Sequence, residues 1–361
     1  MCKDSAYARS ERVLPRACVT QGANYLMSMP TIDVIGIGNA LVDVISQEAD
    51  AFVEEQGLAK AAMTLVDEQR AHDLYHAMGA SLEMSGGSAA NTIVGIASFG
   101  GRAHYVGKVR DDQLGEIFAH DIRATRVGFS TTPAADGLAT GRCLIVVTPD
   151  AHRTMSTFLG ASVGLTPDDI DPELIGSGAV LYLEGYLFDP PSAQEAFRVA
   201  ARAAHDAGRK VSLTLSDGFC VDRHRQAFLD LVEGEVDILF ANEVEIMSLY
   251  EVDTFDEALQ HVRGHCEIAA LTRSERGSVV VTNDEVHLID AHPVAQLVDT
   301  TGAGDLYAAG FLFGYTQGFD LVRCGQLGSL AASEIISHVG ARPAASLAQL
   351  AGSGVSNAPI G

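Results

Sequence analysis

The sequence predicts an α/β protein in which a mainly parallel sheet is covered by helices. Three observations lead there. Short apolar, β-branched runs alternate with helix-like stretches along most of the 361 residues. Hydrophobic residues make up 47% of the chain, enough for a sizeable core, yet no run approaches the ~18 apolar residues of a membrane span. Strand ends run into small-residue turns with an acid nearby, where open α/β sheets hold ligands.

The elements follow in chain order. Residues 1–28 carry Arg9, Arg12 and Arg16 among polar residues, with no continuous apolar segment, and Met27 or Met29 offers a second start. Residues 1–30 are therefore expected to be a disordered extension. Ile32–Ile37 reads as a buried strand ending in Gly38-Asn39-Ala40. Asp43–Val66 has a strand-like start and finish around Ala49–Ala62. Ala89–Phe99 has helical apolar spacing, and Ala103–Val106 is a short strand. Thr140–Thr148 and Thr154–Phe158 flank the turn Pro149-Asp150-Ala151-His152 as a hairpin. Val180–Leu183, Lys210–Leu215, Ile238–Phe240 and Ile268–Leu271 are strands, with helices at Ala193–His205, Arg223–Val232 and Glu243–Tyr250 between them. Val279–Val281 and Val286–Ile289 form a hairpin around Asn283-Asp284. Leu306–Tyr315 and Leu321–His338 are helices, and the Ala/Ser/Gly-rich residues 343–361 are expected to be a flexible tail.

Charge and cysteine usage narrow the function. A net charge of -23 repels nucleic acid and anionic membranes, which excludes both as partners. The 6 cysteines are scattered, with no CxxC and no His at metal-ligand spacing, the pattern of reduced thiols in a cytoplasmic protein.

The most informative stretch is Asp299-Thr300-Thr301-Gly302-Ala303-Gly304-Asp305, followed by the apolar run Leu306–Gly314. It reads as a loop opening a helix, where flexible glycines let successive N–H groups converge and the first helical turn adds about half a positive charge. Such a cradle suits a phosphate, and Asp305 beside it could take a proton from an attacking hydroxyl. Upstream, Gly86-Gly87-Ser88-Ala89-Ala90-Asn91 opens a helix, with Asn91 able to offer donor and acceptor to a diol; a plain turn stays open. Asp43 follows the first strand and could accept hydrogen bonds from vicinal hydroxyls, or be a solvated turn acid. Asn242-Glu243-Val244-Glu245 has the spacing of a helix capping box. Thr272 to Gly277 could be a simple turn, and Arg153 and His338 could be ordinary surface residues. Gly36-x-Gly38 lacks the third glycine of a dinucleotide fingerprint, and no Gly-x-x-x-x-Gly-Lys-Ser/Thr is present.

Residues 299–305 resemble the Asp-Thr-x-Gly-Ala-Gly-Asp signature of the ribokinase-like (PfkB) sugar and nucleoside kinases, and the likeness extends over residues 31–342. It implies a three-layer α/β/α fold with a small β-sheet lid at about 43–66 and 130–158. It implies Asp305 as catalytic base and the amides of Gly302, Ala303 and Gly304 as the anion hole. Asp43, Gly86, Gly87, Asn91 and Arg153 become acceptor-binding residues. Asn242, Thr272, Gly277 and His338 fall on the ATP side, and Glu245 serves Mg²⁺ through water. Ser274 departs from the family's frequent glycine in the Thr272–Gly277 loop. Leu181–Leu187 and Leu213–Phe219 are similar to segments of adenosine-kinase-type members, although many of those carry proline at the position of Gly218. The reaction implied is transfer of the γ-phosphate of ATP to a primary hydroxyl: the 5′-OH of a nucleoside or, alternatively, a hydroxyl of ribose, fructose or a ketodeoxy sugar acid. ATP and Mg²⁺ are the implied cofactors, with room for a monovalent cation such as K⁺, in a monomer or homodimer.

Overall fold

The computed structural model describes residues 29–150 and 152–354, so the extension expected at residues 1–28 lies outside the described residues. The chain opens with β1 (Ile32–Ile37) and then leaves for a second sheet through β2 (Leu41–Gln47), α1 (Asp50–Glu55), β3 (Met63–Leu65), α2 (Glu68–Ala77) and β4 (Ser81–Gly86). It returns through α3 (Ser88–Ser98), β5 (Ala103–Val106), α4 (Gln113–Ala124) and β6 (Gly128–Phe129). A hairpin of β7 (Gly141–Val147) and β8 (Arg153–Phe158) rejoins the second sheet.

Regular alternation follows: α5 (Pro172–Ser177), β9 (Gly178–Glu184), α6 (Pro191–Asp206), β10 (Lys210–Thr214), α7 (Gly218–Gly234), β11 (Ile238–Asn242), α8 (Glu243–Tyr250), α9 (Phe255–Val262) and β12 (Ile268–Thr272). The hairpin β13 (Ser278–Val281) and β14 (Val286–Ile289) precedes α10 (Ala303–Thr316), α11 (Leu321–Ile335) and α12 (Leu347–Gly354).

The main sheet has nine strands in the order β14-β13-β12-β11-β10-β9-β1-β5-β6. Its strands pair in parallel from β6 to β12, and β13 and β14 are antiparallel. Side chains of a strand alternate between faces, so β1 sends Val34 into one core and Ile35 and Ile37 into the other. The first core holds Ile93 of α3, Phe311 of α10 and Leu327 of α11; the second holds Phe197 of α6, Phe228 of α7 and Ile246 of α8. The result is a three-layer α/β/α arrangement, as expected.

One glycine sets the spacing of the first layer. A Cβ at Gly95 would lie 2.6 Å from that of Ala309, so glycine lets the backbone of α3 sit directly against the Ala309 side chain of α10.

The second sheet is five-stranded, in the order β3-β8-β7-β2-β4. It uses the two expected excursions and a third segment, β4, to which the sequence reading assigned no element. In β4, polar Ser81, Glu83 and Ser85 alternate with Leu82 and Met84, and the run is too short for an apolar pattern to announce it. Two corrections apply near the C-terminus. The second long helix stops at Ile335, so His338 lies beyond it. Residues 347–354, expected to be part of a flexible tail, form α12, with Leu347 fully buried and its amide donating to Ser98 Oγ of α3 at 3.1 Å.

Leu347→Ala should cost about 2–5 kcal/mol, the usual range for emptying a buried leucine site. Thermal or chemical denaturation checks this, and a midpoint equal to wild type would detach α12 from the core.

Candidate active site

Both glycine turns of the sequence meet where β1 ends and the lid begins. Gly302 caps α10 in the left-handed region, at φ 81°. The Ala303 amide turns back onto Thr300 O at 3.2 Å, which engages one of the three amides expected to form the anion hole. Asp305 follows in the first turn. Its Oδ1 accepts from Ser88 Oγ at 2.6 Å and its Oδ2 from Asn91 Nδ2 at 3.0 Å. The carboxyl is deep while part of the residue stays open to the cleft. Burial raises its pKa, and the Ser88 and Asn91 hydrogen bonds and the Arg342 charge act against that rise. A raised pKa makes a carboxylate a better proton acceptor.

Gly87, the N-cap of α3, has φ 100°, and a Cβ there would lie 2.2 Å from Asn39 O. Glycine is required on both counts. Next to it the Asp43 carboxyl presses onto Gly86, 2.3 Å from where a Cβ would stand. Asp43 comes from β2, in register with Met84 of β4 and Cys143 of β7. Its pKa is raised to about 6 by burial, against the pull of Arg342 and Arg153 and with a further push from Asp305. Asn91 is buried and its Oδ1 has no partner. An orphaned buried acceptor calls for a donor, such as a hydroxyl, from a ligand. Asp43, Gly86, Gly87, Asn91 and Asp305 are therefore brought together in one cluster.

Arg153 is buried on strand β8 and is not an ordinary surface residue. Its Nη1 donates to Asp299 Oδ2 at 2.7 Å, both side chains being buried, and its Nε has no partner. Asp299 also accepts from the amides of Thr301 (3.0 Å) and Gly340 (3.2 Å). Arg153 thus links lid strand β8 to the start of the Asp299–Asp305 loop.

The nucleotide-side residues lie on neighbouring strand ends. Asn242 and Thr272 are register partners at the ends of β11 and β12. Asn242 and Glu245 form a full capping box, in which Asn242 Oδ1 accepts from the Glu245 amide and both Glu245 oxygens accept from Asn242. Burial lifts the Glu245 pKa to about 7, held down by the Asn242 amide and pushed further by Asp217 and Asp305. Gly277 has φ 77°, and Ser274, where the family favours glycine, adopts a left-handed φ of 52° at a non-glycine residue. His338 pairs with Glu334 at 3.2 Å. Glu245 fits a water-mediated role toward Mg²⁺: its oxygens are committed to the cap, and nearby acids would welcome a cation. No group of three or more His, Cys, Asp or Glu side chains among the described residues is arranged to hold a metal directly.

Sequence reasoning missed four contributors. Ser88 was read only as a helix start. Glu184, 1% exposed at the end of β9, accepts from Asn39 N, Asn39 Nδ2 and the Ala89 amide. Its signal was visible, an acid closing the apolar run Val180–Leu183. Asp299 was read only as the first acid of its motif. Arg342, in a run of small residues, gave no signal at all.

Residues 59–347 match the model of the pfkB family carbohydrate kinases. The chain belongs to that family. Among solved structures it is similar to the adenosine kinase of Sinorhizobium meliloti, at 53% identity and a TM-score of 0.83, covering 90% of this chain and 99% of that one. A probable sugar kinase from Rhizobium etli matches at 50% identity with the same TM-score and the same coverage, 90% and 99%. A 5-dehydro-2-deoxygluconokinase of Geobacillus thermodenitrificans is 25% identical over 263 residues, 70% of this chain and 78% of the relative. This PfkB kinase therefore acts on a nucleoside or a sugar and uses ATP. Among the described residues no helix is long and apolar enough to cross a membrane.

The raised Asp43 pKa has a stability signature. A carboxyl that binds its proton more tightly when folded favours the fold at low pH, and that advantage is lost as pH rises through its folded value, here about 6. Asp43→Asn lacks this loss, so its melting temperature should gain on wild type between pH 5 and pH 7 (range chosen about that value). A constant difference across that range would contradict the assignment.

Proposed function

We propose that this chain is an ATP-dependent nucleoside kinase that phosphorylates the 5′-OH of adenosine or a close analogue. The observation that carries phosphoryl transfer is the Asp305 carboxyl, held by Ser88 and Asn91 at the N-terminus of α10 and faced by Asp43. Asp43 and the free Oδ1 of Asn91 bind the ribose hydroxyls, with Gly86 and Gly87 giving the sugar access to the backbone. Asp305 takes the proton of the primary hydroxyl as that oxygen attacks the γ-phosphoryl of ATP. The Gly302 and Gly304 amides and the first turn of α10 absorb charge on the transferring group; one such donor is worth about 2.7–4 kcal/mol in other enzymes. Asn242, Thr272, Gly277 and His338 hold ATP, and Glu245 meets Mg²⁺ through water. Mg²⁺, when bound, neutralises charge on the phosphates. Arg153 serves the acceptor side by fixing the lid over it, and a closed lid excludes water. The reading goes with a cytoplasmic enzyme.

Adenosine as acceptor is supported by the likeness to the Sinorhizobium meliloti adenosine kinase and by the segments around Leu181 and Leu213. A sugar kinase is the second reading, favoured by the Rhizobium etli and Geobacillus relatives.

Asp305→Asn should lower kcat by about two to four orders of magnitude with KM for ATP nearly kept; near-wild-type turnover would remove Asp305 as the base. In a coupled ADP-release panel of adenosine, inosine, ribose and fructose, adenosine should give the highest kcat/KM. Preferred turnover of ribose or fructose would decide for the sugar kinase.

A further inference from the structure

The short segment Gly340-Ala341-Arg342 reaches both glycine turns of the candidate site. The Gly340 amide donates to Asp299 Oδ2 at 3.2 Å, at the start of the anion-hole loop. Ala341 packs beneath Gly302, 3.2 Å from the position a Cβ would occupy there. Arg342 reaches across to the other glycine turn. Its Nη2 donates to Ser85 O at 2.6 Å and Ser85 Oγ at 3.1 Å, its Nε to Ser85 O at 3.2 Å, and its Nη1 to Ala90 O at 2.7 Å. Those two carbonyls stand immediately before and after Gly86-Gly87-Ser88-Ala89. A planar guanidinium can hold both at once, which an ammonium cannot reproduce. Ser85 is itself fixed from behind, its amide and hydroxyl donating to Asp121 Oδ2 of α4 at 2.8 and 2.6 Å.

We propose that Arg342 is a positioning residue, bolting the acceptor cradle to the anion-hole loop. This rests on the reading of Asp305 as base and Asp43 as acceptor ligand. The charged or titratable groups around Arg342 are Asp43 on β2, Asp121 on α4, Tyr105 on β5 and Asp305 on α10. Asp43 in turn faces Arg153 and Cys143, and Asp305 acts on Tyr182, Glu184, Tyr186 and Glu245. Arg342 and Arg153 are the cations among these groups, and Arg153 is already paired with Asp299. The positive charge of Arg342 opposes the rise that burial causes in the pKa of both acids.

Two variants and two readouts test this. Arg342→Gln removes the charge and the fork; Arg342→Lys keeps the charge and loses the fork. With the wild type's preferred acceptor, Arg342→Gln should move the acid limb of the kcat/KM profile to higher pH, because loss of a positive charge raises the pKa of Asp43 and Asp305. Arg342→Lys should leave that limb in place. Both variants should raise acceptor KM roughly tenfold or more while KM for ATP changes little. Hydrogen–deuterium exchange of the ligand-free protein should show faster exchange at the amides of residues 86–91 in both variants, with β1 unchanged. Should Arg342→Gln not fold, Arg342→Lys decides through acceptor KM and exchange. Unchanged exchange at residues 86–91 overturns the bolt, and an unmoved acid limb in a folded Arg342→Gln removes the charge of Arg342 from the titration of Asp43 and Asp305. The exchange measurement needs no turnover, so an inactive wild type would sink the kinase reading while the bolt is still judged.

Discussion

Helices α3 and α10 cannot be drawn apart without dismantling the site. Gly95 lies one turn beyond Asn91, and Ala309 one turn beyond Asp305; the missing Cβ at Gly95 lets the two helices meet at that level. Their N-terminal turns are consequently held together, and Ser88 and Asn91 fall within hydrogen-bond distance of the Asp305 carboxyl. The sheet beneath supports this contact because Ile93 of α3 lies over Gly36 of β1, with no side chain between them. Two close approaches stacked in one column thus fix the distance between the turn at Gly86–Gly87 and the turn at Gly302–Gly304.

A second constraint is electrostatic. Asp43, Glu184, Glu245 and Asp305 are gathered at the carboxyl ends of the central strands, and burial raises the pKa of each. Such a concentration of acids in a chain of net charge -23 is costly unless hydrogen bonds and cations answer it. Glu184 is answered by three donors, Glu245 by its capping partner, and Asp305 by Ser88 and Asn91. Asp43 has no direct donor of that kind and relies on the fields of Arg342 and Arg153. The acid that lacks its own donors is also the one free to take hydroxyls from a ligand.

How much was legible in the sequence depended on whether a signal was local. The strands Ile32–Ile37 and Ala103–Val106 and the helix Glu243–Tyr250 appear with the bounds expected, since each is a short periodic run between clear turns. Strand β4 did not, because its partner β2 lies about 40 residues earlier and its own pattern is half polar. The glycine turns and Asp305 announced themselves through spacing. Arg342 could not: its bonds run to backbone carbonyls more than 250 residues away, and backbone partners leave no trace in residue type. Arg153 was legible as a site residue, while its partner Asp299 required the fold to bring β8 beside the loop.

The docking of the segment beyond α11 also bears on how the protein comes into being. Arg342 closes onto Ser85 and Ala90, and Leu347 onto Ser98, across separations of 257, 252 and 249 residues. Synthesis runs from the N-terminus, so the sheet, the lid and the acid of α10 all exist before the segment that locks them together. A chain that stops short of residue 340 therefore carries Asp43, Asn91 and Asp305 without the bonds this segment makes to Asp299, Ser85 and Ala90.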